Sequence, residues 1–100
     1  MGQESQIERS VCRDLLKDYG VRSVKLTVPT ENGWPDRMIL IPGGKPFFIE
    51  FKAPGEKPRL KQIYVHETLA KLGYDVETHD TYELAIAAVL QRVKKEVNVS

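Results

Sequence analysis

Pro35-Asp36-Arg37-Met38-Ile39-Leu40-Ile41-Pro42-Gly43-Gly44-Lys45-Pro46-Phe47-Phe48-Ile49-Glu50-Phe51-Lys52 is the stretch on which the fold turns. Its second half is an aromatic and β-branched run that predicts a buried strand over Pro46 to Ala53. Its first half predicts another strand, Asp36 to Ile41, and Pro42-Gly43-Gly44 is turn chemistry joining the two as a hairpin. Side chains alternate along a strand, so Glu50 and Lys52 leave one face while Ile49 and Phe51 leave the other. In a hairpin turning near Gly43, the start of one strand meets the end of its partner. Asp36 therefore falls beside Glu50 or Phe51. Two carboxylates and a lysine at the end of an apolar strand are costly to bury without a partner.

A divalent cation is the partner that suits them. Asp36, Glu50 and a main-chain carbonyl near Phe51 form a hard oxygen site with few protein ligands, which fits Mg²⁺ or Mn²⁺ with water in the remaining positions. Lys52 lies one pleat along, where its charge can orient a nucleophile or neutralise developing negative charge. Each piece also has a plain structural reading. Pro-Asp often starts a strand, and Glu-x-Lys is a common surface pair.

Upstream, Ile7, Val11, Cys12, Leu15, Leu16 and Tyr19 recur at helical spacing and predict a helix from about Ser5 to Tyr19, with Gly20 as its stop and Cys12 in the core. Glu8 points into the middle of that apolar stripe. One explanation is a capping box with Ser5; the other is that Glu8 reaches past the sheet edge towards the metal or its waters, a role for which Glu4 competes. Ser23 to Val28 alternates as a strand, and Pro29 to Trp34 is a turn-rich loop.

Downstream, Pro54 to Pro58 breaks the chain, and Pro58 suits the first turn of a helix ending at Leu72 before Gly73. Its stripe Gln62, Val65, Leu69, Leu72 turns the Gln62 amide towards the sheet, either as a buried amide satisfied by backbone or as part of the site. Leu60, Ile63, Tyr64 and Ala70 form another face, suited to packing under the last helix or to a subunit contact. Tyr74 to Thr78 predicts a fourth strand. Asp80 and Glu83 then read as a capping box opening a helix to about Glu96, followed by a frayed Asn98-Val99-Ser100. The order is α-β-β-β-α-β-α: an α/β domain with a mixed sheet flanked by helices, one domain over residues 1–100.

The formal net charge is +1, which argues neither for nor against nucleic acid. Distribution is more informative: Lys52, Lys57, Arg59 and Lys61 gather within ten residues, with Glu56 the only acid among them, so this run is a candidate for phosphate contact. Lys25 and Thr30 lie near the same end. Trp34 is placed to cover the site or stack on a base, and His66 and His79 read as surface or boundary residues. A single cysteine excludes an internal disulfide and fits a reducing cytoplasm. No run approaches the roughly 20 apolar residues that span a bilayer.

With Glu8, Pro35-Asp36, Glu50-x-Lys52 and Gln62 in that order, the chain resembles the PD-(D/E)xK nuclease superfamily, and within it the virus-type replication-repair nuclease (VRR-NUC) domain. Glu4-Ser5-Gln6-Ile7-Glu8-Arg9, Gly33-Trp34-Pro35-Asp36-Arg37, Phe48-Ile49-Glu50-Phe51-Lys52-Ala53-Pro54-Gly55 and Leu72-Gly73-Tyr74-Asp75-Val76 carry the likeness. The resemblance implies a restriction-endonuclease-like core and Mg²⁺- or Mn²⁺-dependent phosphodiester hydrolysis. By position, Asp36 and Glu50 are metal ligands and Glu8 is an accessory acid. Lys52 assists the nucleophile and Gln62 supports the site, while the DNA-contact candidates remain the basic residues Lys57, Arg59, Lys61 and Lys25 read from their charge and position above. Small stand-alone members act on branched DNA such as four-way (Holliday) junctions, as homodimers in the cytoplasm of bacteria or phage-infected hosts. Cleavage of linear duplex, or a non-catalytic DNA-binding module of the same fold, are the alternatives.

Overall fold

A computed structural model describes residues 2–97. The elements are α1 (Gln3–Tyr19), β1 (Arg22–Lys25), β2 (Arg37–Leu40), β3 (Phe47–Phe51), α2 (Leu60–Lys71), β4 (Val76–His79) and α3 (Tyr82–Val97). The expected element order is borne out. One four-stranded sheet runs β1-β2-β3-β4. The β1–β2 and β2–β3 pairs are antiparallel, and α2 carries the chain back so that β4 pairs parallel with β3. The sheet is mixed.

Alternation along β3 builds two apolar layers. Phe47, Ile49 and Phe51 join Ile39, Ile41, Val11, Leu15, Ala85 and Val89 in a core beneath α1 and α3. Phe48 turns the other way, onto Val65 and Leu69 of α2. All five β3 residues are buried, including Glu50, because both faces of this strand are covered. Full burial of one large apolar side chain contributes about 1.5–3 kcal/mol, so the Phe47, Ile49 and Phe51 row is a principal source of stability.

Chain-end chemistry explains where the helices stop. Gly20 ends α1 at φ 67, a left-handed conformation that glycine adopts without a Cβ penalty, and Val21 N–H donates to the Leu15 carbonyl. Gly33 serves a different need. At φ 98, a Cβ on it would stand 2.5 Å from the Lys61 carbonyl oxygen, so only glycine lets the 30s loop lie against the first turn of α2. That close approach sets the entry of Pro35-Asp36 into β2.

Several expectations are corrected. The β1 ladder covers Arg22–Lys25, shorter than Ser23 to Val28, although Leu26 N–H still donates to the Asp36 carbonyl at 3.0 Å. Helix α1 begins at Gln3, so Ser5 and Glu8 lie inside it and form no capping box; Gly2 holds the cap position without a side-chain bond. The cap of α3 is Thr81, whose Oγ1 accepts from Leu84 N–H, while Asp80 is drawn away to accept from Gly55 N–H at 2.9 Å. The apolar face of α1 is narrower than its spacing suggests, with Leu16 45% and Tyr19 51% exposed. Cys12 is half-buried beside Ser23, outside the core. Leu72 is exposed because α2 has already ended, and the Leu60–Tyr64 face cannot pack under α3, which lies across the sheet. The expectation for Asn98, Val99 and Ser100 lies outside the described residues.

Candidate active site

The hairpin register does what the sequence spacing requires. Arg37 stands opposite Ile49, Asp36 N–H donates to the Ile49 carbonyl, and Asp36 Oδ2 accepts from Phe51 N–H at 2.8 Å. The Asp36 carboxylate is thereby pinned at the end of β3, beside Glu50. Glu50 and Lys52 share the α2 side of the sheet with Phe48.

Helix α2 supplies the third part. Gln62 occupies its first turn and its Oε1 accepts from Arg59 N–H at 2.8 Å. With the carbonyl end so fixed, Nε2 must face the sheet, where it donates to Glu50 Oε2 at 2.9 Å. Lys52 Nζ lies 3.6 Å from the same Glu50 oxygen. Glu50 Oε1 is buried with no hydrogen-bond partner. Burial first, and then the neighbouring Asp36 carboxylate, push the Glu50 carboxyl up to about 7. Burial also raises Asp36, against the lowering effect of its bond from Phe51 N–H. Two crowded acids, both displaced upwards and one with an orphaned oxygen, are short of positive charge.

That shortage is the physical test of a metal site, and the residues fit one. A divalent cation would meet the unpartnered Glu50 Oε1 and relieve both acids. Among the described residues no three His, Cys, Asp or Glu side chains form a cage. The donor set is thus two carboxylates with the Phe51 backbone lining the same cleft, a pattern that suits a hydrated Mg²⁺-type ion more than zinc or calcium.

The cleft has a volume of about 490 Å³, and Glu4, Glu8, Lys25, Lys57 and Arg59 line it as well. Glu8 is buried, and its Oε2 accepts from Lys25 Nζ at 2.8 Å and Arg37 Nε at 2.7 Å. This ion-paired cluster accounts for an acid on the apolar stripe of α1. Glu4 also borders the cleft but is less buried. Lys25 is thus engaged with Glu8, unlike exposed Lys57 and Arg59. Lys61 turns away from the cleft into a groove with Trp34, Leu60 and Asn32, and Thr30 lines the neighbouring groove with Tyr64. The Trp34 ring packs on the Phe48 layer and its Nε1 donates to Glu31, so it buttresses the loop.

Sequence reasoning missed Arg37 and His66. Arg37 follows the same alternation as Ile39 and Ile41, and a charge on a core-facing parity was the available signal. His66 is half-buried on α2, as the boundary reading has it, with its Nε2 atom buried. His79 is held by Glu77 at 2.7 Å, within a separate ion-pair network tied by Arg92.

The mixed four-stranded sheet flanked by helices is a fold shared with a solved VRR-NUC domain. One solved structure, described as "VRR_NUC domain", superposes with a TM-score of 0.77 at 22% identity, covering 90% of this chain and 97% of its own. "Putative nuclease p44" of Acyrthosiphon pisum secondary endosymbiont phage 1 is 37% identical over 83 residues, 83% of this chain and 88% of the relative. No family model matches the sequence. The chain belongs to the same family as this phage relative, and its fold is that of a VRR-NUC domain.

Proposed function

We propose that this protein is a metal-dependent DNA endonuclease that cuts branched substrates such as four-way junctions. The observation that carries the reading is the register-enforced pairing of Asp36 with Glu50, whose buried Oε1 has no partner in the chain. Asp36, Glu50 and the Phe51 carbonyl would hold Mg²⁺ or Mn²⁺, with Glu8 acting on its waters. When bound, such an ion polarises the scissile phosphate and acidifies a water.

The chain's own groups do the rest. Gln62 locks the Glu50 carboxylate in one orientation. Asp36 cannot swing away, because Phe51 N–H holds its other oxygen. Lys52, whose side chain is 11% exposed, brings an ammonium within reach of the phosphate as negative charge develops there. Exposed Lys57 and Arg59 at the rim meet the flanking phosphates, with Lys25 and Lys61 further out along the strand path. Arg37 holds Glu8 in place.

A homodimer would set two such clefts against opposing strands. The support is an uncovered apolar face on α2, where Leu60 is 84% and Tyr64 65% exposed. Among the described residues no helix is long and apolar enough to cross a membrane. The work of such an enzyme lies in the cytoplasm of a bacterial or phage-infected cell.

A cleavage panel tests the reading. Purified protein with Mg²⁺ or Mn²⁺ is offered labelled four-way junctions, flaps and linear duplex, alongside a native mass measurement. Junction cutting by a dimer supports it. Cutting of linear duplex alone would replace the substrate assignment, and no cutting of any member would remove the activity.

A further inference from the structure

Two buried side-chain polar atoms among the described residues lack a hydrogen-bond partner. One is Glu50 Oε1, already placed in the acidic pair; the other is His66 Nε2. Residues four apart on a helix stand one above the other, so His66 shares the face of α2 that carries Gln62. That face lies over the site end of β3, where Gln62 bonds to Glu50. The charged group acting on His66 is Lys52.

The chemistry of the two groups is complementary. Burial first, and the Lys52 ammonium second, hold the His66 imidazole below its ordinary 6.5, so it is neutral at physiological pH. A neutral imidazole offers one lone-pair nitrogen and one N–H. An ammonium only donates, and the Lys52 ammonium stands 3.6 Å from its nearest acid, longer than a good hydrogen bond. Lys52 therefore has donors to spare where His66 has an acceptor to fill.

We propose that His66 is a positioning residue for Lys52, its unprotonated Nε2 accepting a hydrogen bond from the ammonium and holding it off the acidic pair and towards the phosphate. The inference rests on the reading of Lys52 as the group that meets the scissile phosphate. Without such a tether, the flexible lysine stem can collapse onto Glu50 and compete for the oxygen that a cation needs. Gln62 and His66 would then divide the work: one fixes the carboxylate, the other the cation that must stay clear of it.

The experiment has two readouts. In long-range ¹H–¹⁵N spectra of the full chain, His66 Nε2 is expected as an unprotonated acceptor whose resonance moves in Lys52→Met. In single-turnover junction cleavage, His66→Phe is expected to be about tenfold slower, the size of one hydrogen bond to a charged group, with half-saturation by DNA unchanged. His66→Gln, whose side-chain oxygen can take the place of Nε2, is expected to recover most of that loss. An imidazole signal indifferent to Lys52→Met overturns the proposal. So does wild-type cleavage by His66→Phe, or a folded His66→Gln no faster than the phenylalanine variant. If the wild-type protein cuts no substrate, the nuclease reading falls, and the spectral response to Lys52→Met alone decides the contact.

Discussion

Among the described residues, Glu50 is the acid whose carboxyl is pushed up furthest. Its carboxyl titrates at about 7 in the folded chain against an ordinary 4.5, so between those values the folded state binds more protons than the unfolded one. The contribution of the protonated group to stability is fully present below 4.5 and is lost as pH rises through 7. Thermal melts without divalent ions should therefore show stability falling over that window, by an amount on the order of 3 kcal/mol. Mg²⁺ or Mn²⁺ should flatten the decline, because a bound cation favours the ionised acid. Glu50→Gln removes the buried charge but keeps the shape. We expect it to gain about 2 kcal/mol at alkaline pH by urea denaturation while losing cleavage; a loss of stability there would contradict this account of Glu50. Arg37 predicts the opposite kind of effect. Its side chain is 18% exposed and it holds a nearly buried Glu8, so Arg37→Met should cost about 2 kcal/mol, and Glu8→Gln in the same background should recover part of it.

Elements place these residues through a few local devices. The 30s loop reaches β2 only by crossing the Lys61 carbonyl at Gly33. Gly33→Ala should cost about 2 kcal/mol in a urea titration, from backbone strain and the clash together; an unchanged midpoint would mean that the loop packs elsewhere. Thr81→Ala should cost about 1 kcal/mol through loss of the α3 cap. The hairpin was legible because Asp36 to Lys52 writes its own strand parity and turn. The amphipathic stripes likewise marked α1 and α2, and the Gln62 amide showed itself as a polar group on an apolar stripe. Caps were less legible. Ser5-x-x-Glu8 and Asp80-x-x-Glu83 both match a capping pattern, yet Glu8 is taken by Arg37 and Lys25, and Asp80 by Gly55 N–H. Such distant partners leave no trace in local spacing. The same holds for His66, whose meaning depends on where the crossover sets α2 down on the sheet.

At the scale of the whole molecule, one end of the sheet is acidic and lined with donors while one face of α2 remains uncovered. If that face joins two copies, Tyr64→Lys should shift the native mass from dimer to monomer. It should also convert paired strand cutting into single nicks, leaving the rate of the first nick within about twofold. The central claim, however, concerns a single centre. It is tested most directly by following labelled four-way junction with saturating enzyme and Mg²⁺ or Mn²⁺, comparing wild type with Asp36→Asn at matched folded fraction. The account predicts that the wild-type chain cuts and that the variant is slower by at least about a hundredfold. Equal rates for the two proteins would contradict it.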